Sequence, residues 1–186
     1  MAPVGPGRAR GRWQLVLLVL AFALPMLIAL GLKLTGWRAE RTQNYGTLLE
    51  PPIDLGAVRA RTDADATVSW RNTENRWLLL ARVPERCDDP CWDELARLPR
   101  LRLALGRHAP RLELMLLERA PPPERRAGLA PMRYAVLEPP APDAIAHDPE
   151  RGPAIWLVDP HGFLVLEYAP GYDLDRVIKD LKKLIR

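Results

Sequence analysis

Apolar positions dominate from Trp13 to Leu32, twenty residues interrupted only by Gln14 and without a charge, which is about the number a helix needs to cross the hydrocarbon core of a bilayer. The pattern predicts a transmembrane helix over residues 13–34 behind a short tail, residues 1–12. Pro25 fits this reading, because proline is tolerated in membrane helices where neighbouring groups satisfy the freed backbone. A cleavable signal peptide is the competing reading. Its apolar region is usually about 7–15 residues long, and no small-x-small site follows Leu32. Beyond the helix, residues 35–65 are mostly polar and are broken by Pro51 and Pro52. They predict a membrane-proximal stalk leading into a domain over residues 66–186.

Within that domain the period of the pattern changes repeatedly. Arg76–Val83 is largely apolar, as expected for a central strand covered on both faces, and Thr67–Arg71 predicts a short strand ahead of it. From Trp92 to Leu105, leucines at 95, 98, 101, 103 and 105 alternate with arginines in a mostly helical pattern that Gly106 ends. Pro90 suits the first turn of that helix. Pro99 predicts a kink or a break, since an internal proline removes a hydrogen bond and clashes with the preceding turn. Arg111–Leu117 reads as a second strand, residues 120–130 with their three consecutive prolines as an exposed loop, and residues 133–137 as a weaker strand. A short helix is expected near Asp143–His147. Ala154–Val158 and Phe163–Tyr168 flank a turn and predict a β-hairpin. The chain then closes with an amphipathic helix over residues 174–185, for which Asp173 is a good N-cap and Lys179, Lys182 and Lys183 suit the C-terminal dipole. Strand, helix, strand, irregular segment, hairpin, helix is the order of a thioredoxin-like α/β domain, a central mixed sheet flanked by helices.

Charge placement removes one class of function. A pI near 9.4 suggests a polyanion partner, yet Arg8, Arg10, Arg12 and Lys33 account for the whole net charge of +4. From Gly36 onward basic and acidic residues balance, so nucleic-acid binding is not expected. The flanks of the apolar helix carry similar positive charge, Arg8, Arg10 and Arg12 against Lys33, Arg38 and Arg41. Orientation therefore leans on the cysteines, whose pairing suits an oxidising compartment outside the cytoplasm.

The chain has two cysteines, Cys87 and Cys91. The roughly 150 residues beyond the apolar helix are enough to bury a core without disulfides, so stability alone does not require them. A spacing of four brings both sulfurs to one face of a first helical turn, close enough to oxidise to a disulfide or to hold Cu(I) between two thiolates. A helix N-terminus favours the thiolate. Asp88 and Asp89 add negative charge that weakens a free nucleophile and attracts a cation. A structural disulfide, or two ordinary buried thiols, is the plain alternative. His108 and His161 read as surface residues, and Trp70, Trp77, Trp92 and Trp156 as core or partner-facing aromatics. No Ser-His-Asp set, phosphate loop or carboxylate pair suggests a hydrolase or kinase.

A strand running into Cys87-Asp-Asp-Pro-Cys91 at a helix start resembles the Sco/SenC-like proteins, copper chaperones of cytochrome c oxidase assembly. The run Gly152–Gly162 resembles the segment of membrane-anchored thioredoxin-like proteins in which a cis-proline faces the cysteines, with Pro153 in that position. Asn44–Pro51, together with Arg102–Gly106, is similar to small bacterial membrane proteins associated with cytochrome oxidase assembly genes. The resemblance implies a single-pass protein of the bacterial inner membrane with its domain in the periplasm, serving oxidase maturation beside an oxidase subunit or its copper chaperone. It implies Cys87 and Cys91 as a redox pair or as copper ligands, with Pro153 shaping the site. In that family a histidine lies two residues before the position matching Pro153. Arg151 stands there in this chain, which leaves His147 as the candidate third ligand. A docking module with a structural disulfide, and a dedicated thiol-disulfide oxidoreductase, are the other readings these residues allow.

Overall fold

A computed structural model describes residues 7–35, 44–146 and 152–185. The chain divides into two compact units, Met1–Thr42 and Gln43–Arg186. The first unit holds α1, Gly7–Leu34, in which Trp13–Leu34 has a mean hydropathy of 2.9. By length and composition this helix fits either a membrane anchor or a signal sequence.

The second unit is built on one seven-stranded sheet. Its elements are β1 (Thr47–Asp54), β2 (Arg59–Thr62), β3 (Trp77–Arg82), α2 (Asp89–Leu95), α3 (Pro99–Ala104), β4 (Leu112–Leu117), β5 (Arg133–Glu138), α4 (Asp143–Ala146), β6 (Ala154–Val158), β7 (Phe163–Tyr168) and α5 (Leu174–Leu184). The strand order is β1-β7-β6-β3-β4-β5-β2. β3, β4 and β5 run parallel, while β6 lies antiparallel to β3 and β7 antiparallel to β6. Helices α2 and α3 make the crossover from β3 to β4. This is the expected thioredoxin-like α/β arrangement with a mixed sheet.

The apolar runs are central strands because both faces of the sheet are covered. Leu79, Ala81, Leu114, Leu116, Ile155 and Leu157 point to the face packed by α2, α3 and α5. Leu78, Leu80, Met115, Leu117, Trp156 and Val158 point to the other, where Leu55, Trp70 and Ile145 cover them. The helix broken by Pro99 is two helices, with Pro99 opening the second. The hairpin spans the expected residues, and the Asp173 carboxylate caps α5 by accepting from the backbone N–H groups of Asp175 and Arg176.

Three expectations are corrected. Residues 47–62, inside the expected stalk, supply β1 and β2, so the folded unit begins well before residue 66. β1 is an edge strand whose register shifts between Leu48 and Ile53, where Pro51 and Pro52 sit, and an edge with a bulge is where a sheet tolerates proline. Thr67–Arg71 is no strand and makes only an isolated bridge between Thr67 and Arg61. The loop at 120–130 contains a 3-10 helix, Pro123–Leu129, that buries Leu129.

The start of the unit is fastened to α5. Asp180 is 2% exposed, and its Oδ2 accepts from the backbone N–H of Tyr45 at 2.6 Å and of Gly46 at 2.9 Å. Gly46 is required there, because a Cβ would lie 2.7 Å from the Tyr168 ring.

Candidate functional site

Cys87 lies just beyond β3, in the turn that leads into α2. Asp88 takes the N-cap in an extended conformation, with its carboxylate accepting from the Cys91 backbone N–H at 3.2 Å. Pro90 occupies the first turn, where its missing N–H leaves nothing unsatisfied. The two Cα atoms are 5.2 Å apart and the sulfurs are joined as a disulfide. Cys91 is 7% exposed and packs in the core with Trp92 and Leu95, whereas Cys87 is half-buried at its margin. The sulfur nearer the N-terminus is therefore the accessible one.

The two aspartates act differently from the sequence expectation. Asp88 serves as the helix cap. Asp89 pairs with Arg125 at 2.6 Å, and the same guanidinium takes Asp93 one turn later at 2.5 Å. Arg125 comes from the proline-rich segment across the chain, and its own pKa is raised by Asp93 and Asp89. The acidic charge beside the cysteines is thus offset by a cation that no local pattern announces.

One turn beyond Cys91, Glu94 is half-buried against Tyr172. Burial raises the Glu94 pKa, and the neighbouring Tyr172 hydroxyl and Arg97 guanidinium offset this only in part. Burial, and then the charge of Glu94, push the Tyr172 phenol well above its ordinary range. The hydroxyl faces Glu94 without a well-aligned hydrogen bond. Pro90, Glu94, Arg97, Tyr172, Asp173 and Leu174 line a cavity of about 390 Å³ at the start of the helix. Because the folded-state value of Glu94 is raised, its stabilising contribution is full below the ordinary carboxyl range and is lost as pH rises through the raised value. Glu94→Gln cannot ionise and escapes that loss. The difference in thermal midpoint between variant and parent is expected to move in the variant's favour between about pH 4 and about pH 7; a difference that is flat with pH would contradict the burial of this carboxyl.

Pro153 is buried, immediately before β6. Gly152 before it has φ +113°, and a Cβ there would lie 3.8 Å from Glu94 Oε2, so this segment does run along α2. Among the described residues the cis peptide bonds are Glu50–Pro51, Ala130–Pro131 and Pro139–Pro140. The expected cis bond before Pro153 is not among them. His147 and Arg151 lie outside the described residues. His161 is exposed in the hairpin turn, and His108 is half-buried and accepts from Arg107 Nε at 3.0 Å. Among the described residues no group of three or more His, Cys, Asp or Glu side chains is placed to hold a metal ion. Sequence reasoning found the cysteines and missed Arg125, Glu94 and Tyr172. The spacing of Glu94 from Cys91 is the one signal among these visible in the sequence.

Residues 77–186 match a family model described as transmembrane-like, thioredoxin-like, C-terminal domain. Comparison with curated sequences gives no match. Among solved structures, the fold is similar to the apo Sco1 protein of Thermus thermophilus, with a TM-score of 0.53 and 24% identity over 79% of this chain and 99% of the other. It is also similar to ScoI of Arabidopsis thaliana, solved with copper bound, with a TM-score of 0.51 and 17% identity over 76% and 98% of the two chains. A third, the thioredoxin domain of a thiol-disulfide oxidoreductase from Bacteroides vulgatus, has a TM-score of 0.48 and 16% identity over 76% and 97%. At these identities the likeness to the two Sco proteins shows a shared fold.

Proposed function

Because the chain belongs to the transmembrane-like, thioredoxin-like C-terminal domain family, we propose that it is a membrane-tethered accessory protein, facing the periplasm, that serves cytochrome c oxidase maturation through the Cys87–Cys91 dithiol–disulfide couple. The observation that carries the thiol chemistry is the placement of the pair, joined between strand and helix with Cys87 accessible and Cys91 buried behind it; the oxidase as its client rests on the resemblance to Sco/SenC-like proteins. In the reduced protein the Cys87 thiolate attacks one sulfur of a partner disulfide. A mixed disulfide forms and the partner's other sulfur leaves as a thiolate. Cys91, as thiolate, then attacks Cys87 Sγ and releases the partner's second thiolate. Two electrons pass to the partner and the Cys87–Cys91 bond closes.

The copper-bound plant neighbour favours a second use of the same pair. The two thiolates would hold Cu(I) as cargo, a soft ion suited to sulfur, with His147 as third donor and Pro153 bounding the site.

Both uses need the thiols. In a strain lacking this protein, the parent chain is expected to restore oxidase activity, and Cys87→Ser with Cys91→Ser to leave it at the level of the deletion. Full rescue by the double variant would overturn the proposal and leave a docking module with a structural disulfide.

A further inference from the structure

The folded unit is close to neutral, with 21 basic and 22 acidic residues from Gln43 onward, but its cations are not evenly spread over the helical layer. Between Glu94 and Glu113 the sequence has no acidic residue. Arg100 on α3 and Arg107 just after it are exposed, and between them Leu103 is 78% exposed. On α5, Lys179, Lys182 and Lys183 are exposed. Asp180 is turned inward, with Lys183 Nζ 4.0 Å from its Oδ1, and Asp175 stands in the opposite end turn. α3 and α5 pack on each other, and their inner residues Leu101, Leu105, Val177, Leu181 and Ile185 share one core. The outer sides of these two packed helices thus carry five exposed cations and an exposed leucine. The α5 dipole accounts for Lys182 and Lys183; it accounts for neither the arginines nor Leu103.

The chain enters the domain on this same helix. Tyr45 and Gly46 donate to Asp180, the Asp173 backbone N–H donates to the Tyr45 hydroxyl at 3.0 Å, and the Arg176 guanidinium lies 5.3 Å from the Tyr45 ring centroid. From Thr35 to Asn44 the connecting chain spans at most about 30 Å.

We infer that the α3–α5 face docks on an anionic phospholipid surface, with Arg100, Arg107, Lys179, Lys182 and Lys183 over the headgroups and Leu103 at the boundary with the acyl chains. It rests on the reading of α1 as an uncleaved anchor. Attraction between such a face and anionic lipid falls off within a Debye length, about 10 Å at 0.1 M salt, so a short tether that keeps the face near the bilayer is what makes it effective. α2 belongs to the same helical layer, and docking would fix the height of Cys87 above the bilayer.

The test uses the full chain, purified from membranes and shown by intact mass to retain residues 13–34. It is placed in nanodiscs of phosphatidylcholine alone or of phosphatidylcholine with phosphatidylglycerol, and acetylation rates at Lys179, Lys182 and Lys183 are read by mass spectrometry. The expected result is a rate ~3-fold or more slower in the anionic discs at low salt, restored by high salt and largely restored by Arg100→Gln with Arg107→Gln. Those two side chains are exposed, so the variant keeps its core. Equal rates in both lipids would overturn the inference while leaving the anchor intact. A mass lacking residues 13–34 would overturn the anchor reading and the inference with it.

Discussion

Cys91→Ser is expected to trap a stable mixed disulfide at Cys87, whereas Cys87→Ser slows exchange. The asymmetry follows from packing. Cys91 is 7% exposed and sits among Trp92 and Leu95, while Cys87 stands half-buried at the rim. An incoming disulfide reaches Cys87 first, and without Cys91 nothing inside the protein can resolve the adduct. With the reduced full chain and oxidised glutathione, the Cys91→Ser variant is expected to accumulate a one-to-one adduct. The Cys87→Ser variant is expected to react ~10- to 100-fold more slowly. Faster adduct formation at Cys91 would reverse the assigned order of attack.

Asp180→Ala is expected to destabilise the domain by about 3 kcal/mol, the sum of two lost charge-assisted bonds discounted for the partial exposure of Tyr45. The carboxylate is 2% exposed and accepts from two backbone N–H groups. Gly46 is buried, so its N–H has no access to water once the acceptor is gone, and a stranded donor costs about 1–3 kcal/mol by itself. Asp180 and burial together push the Tyr168 phenol above its ordinary range, burial contributing more. Asp180→Asn keeps an acceptor oxygen in place and is expected to lose only about 1 kcal/mol. Denaturant unfolding of both variants checks this. Equal losses would mean that volume rather than hydrogen bonding matters at the site, and no loss in either would contradict the clamp between the start of the domain and α5.

Much of this architecture is written in the period of the sequence. The runs at 76–83 and 111–117 are apolar on consecutive positions because both faces of the sheet are covered, and the hairpin and α5 announce themselves by turn and cap residues that act locally. Pro99 breaks the helix because its own ring forbids continuation. β1 and β2 were hidden for the converse reason. Pro51 and Pro52 read as loop until a bulged edge strand accommodates them, and Arg59–Thr62 buries only Ala60. At the site, the cysteine spacing is legible, and so is its position between strand and helix. The charge balance is not. Arg125 neutralises Asp89 and Asp93 from a segment about 30 residues away in sequence, a pairing that exists only once the chain has folded. Asp88 looks like free charge in sequence and is spent on a backbone N–H in the fold. Pro153 carries a resemblance in its sequence neighbourhood, but the isomer of its peptide bond is a property of the backbone that composition does not encode.

Equilibration of the full chain in glutathione and dithiothreitol redox buffers, with the thiol state read by mass-tagged alkylation, tests the Cys87–Cys91 couple most directly. A pair whose outer sulfur is accessible at a helix start is expected to titrate as a single two-electron couple at a potential above about −300 mV, the region of exchangeable rather than structural disulfides. A bond that stays closed in every buffer down to that potential would contradict a redox role and make Cys87–Cys91 a staple of the fold.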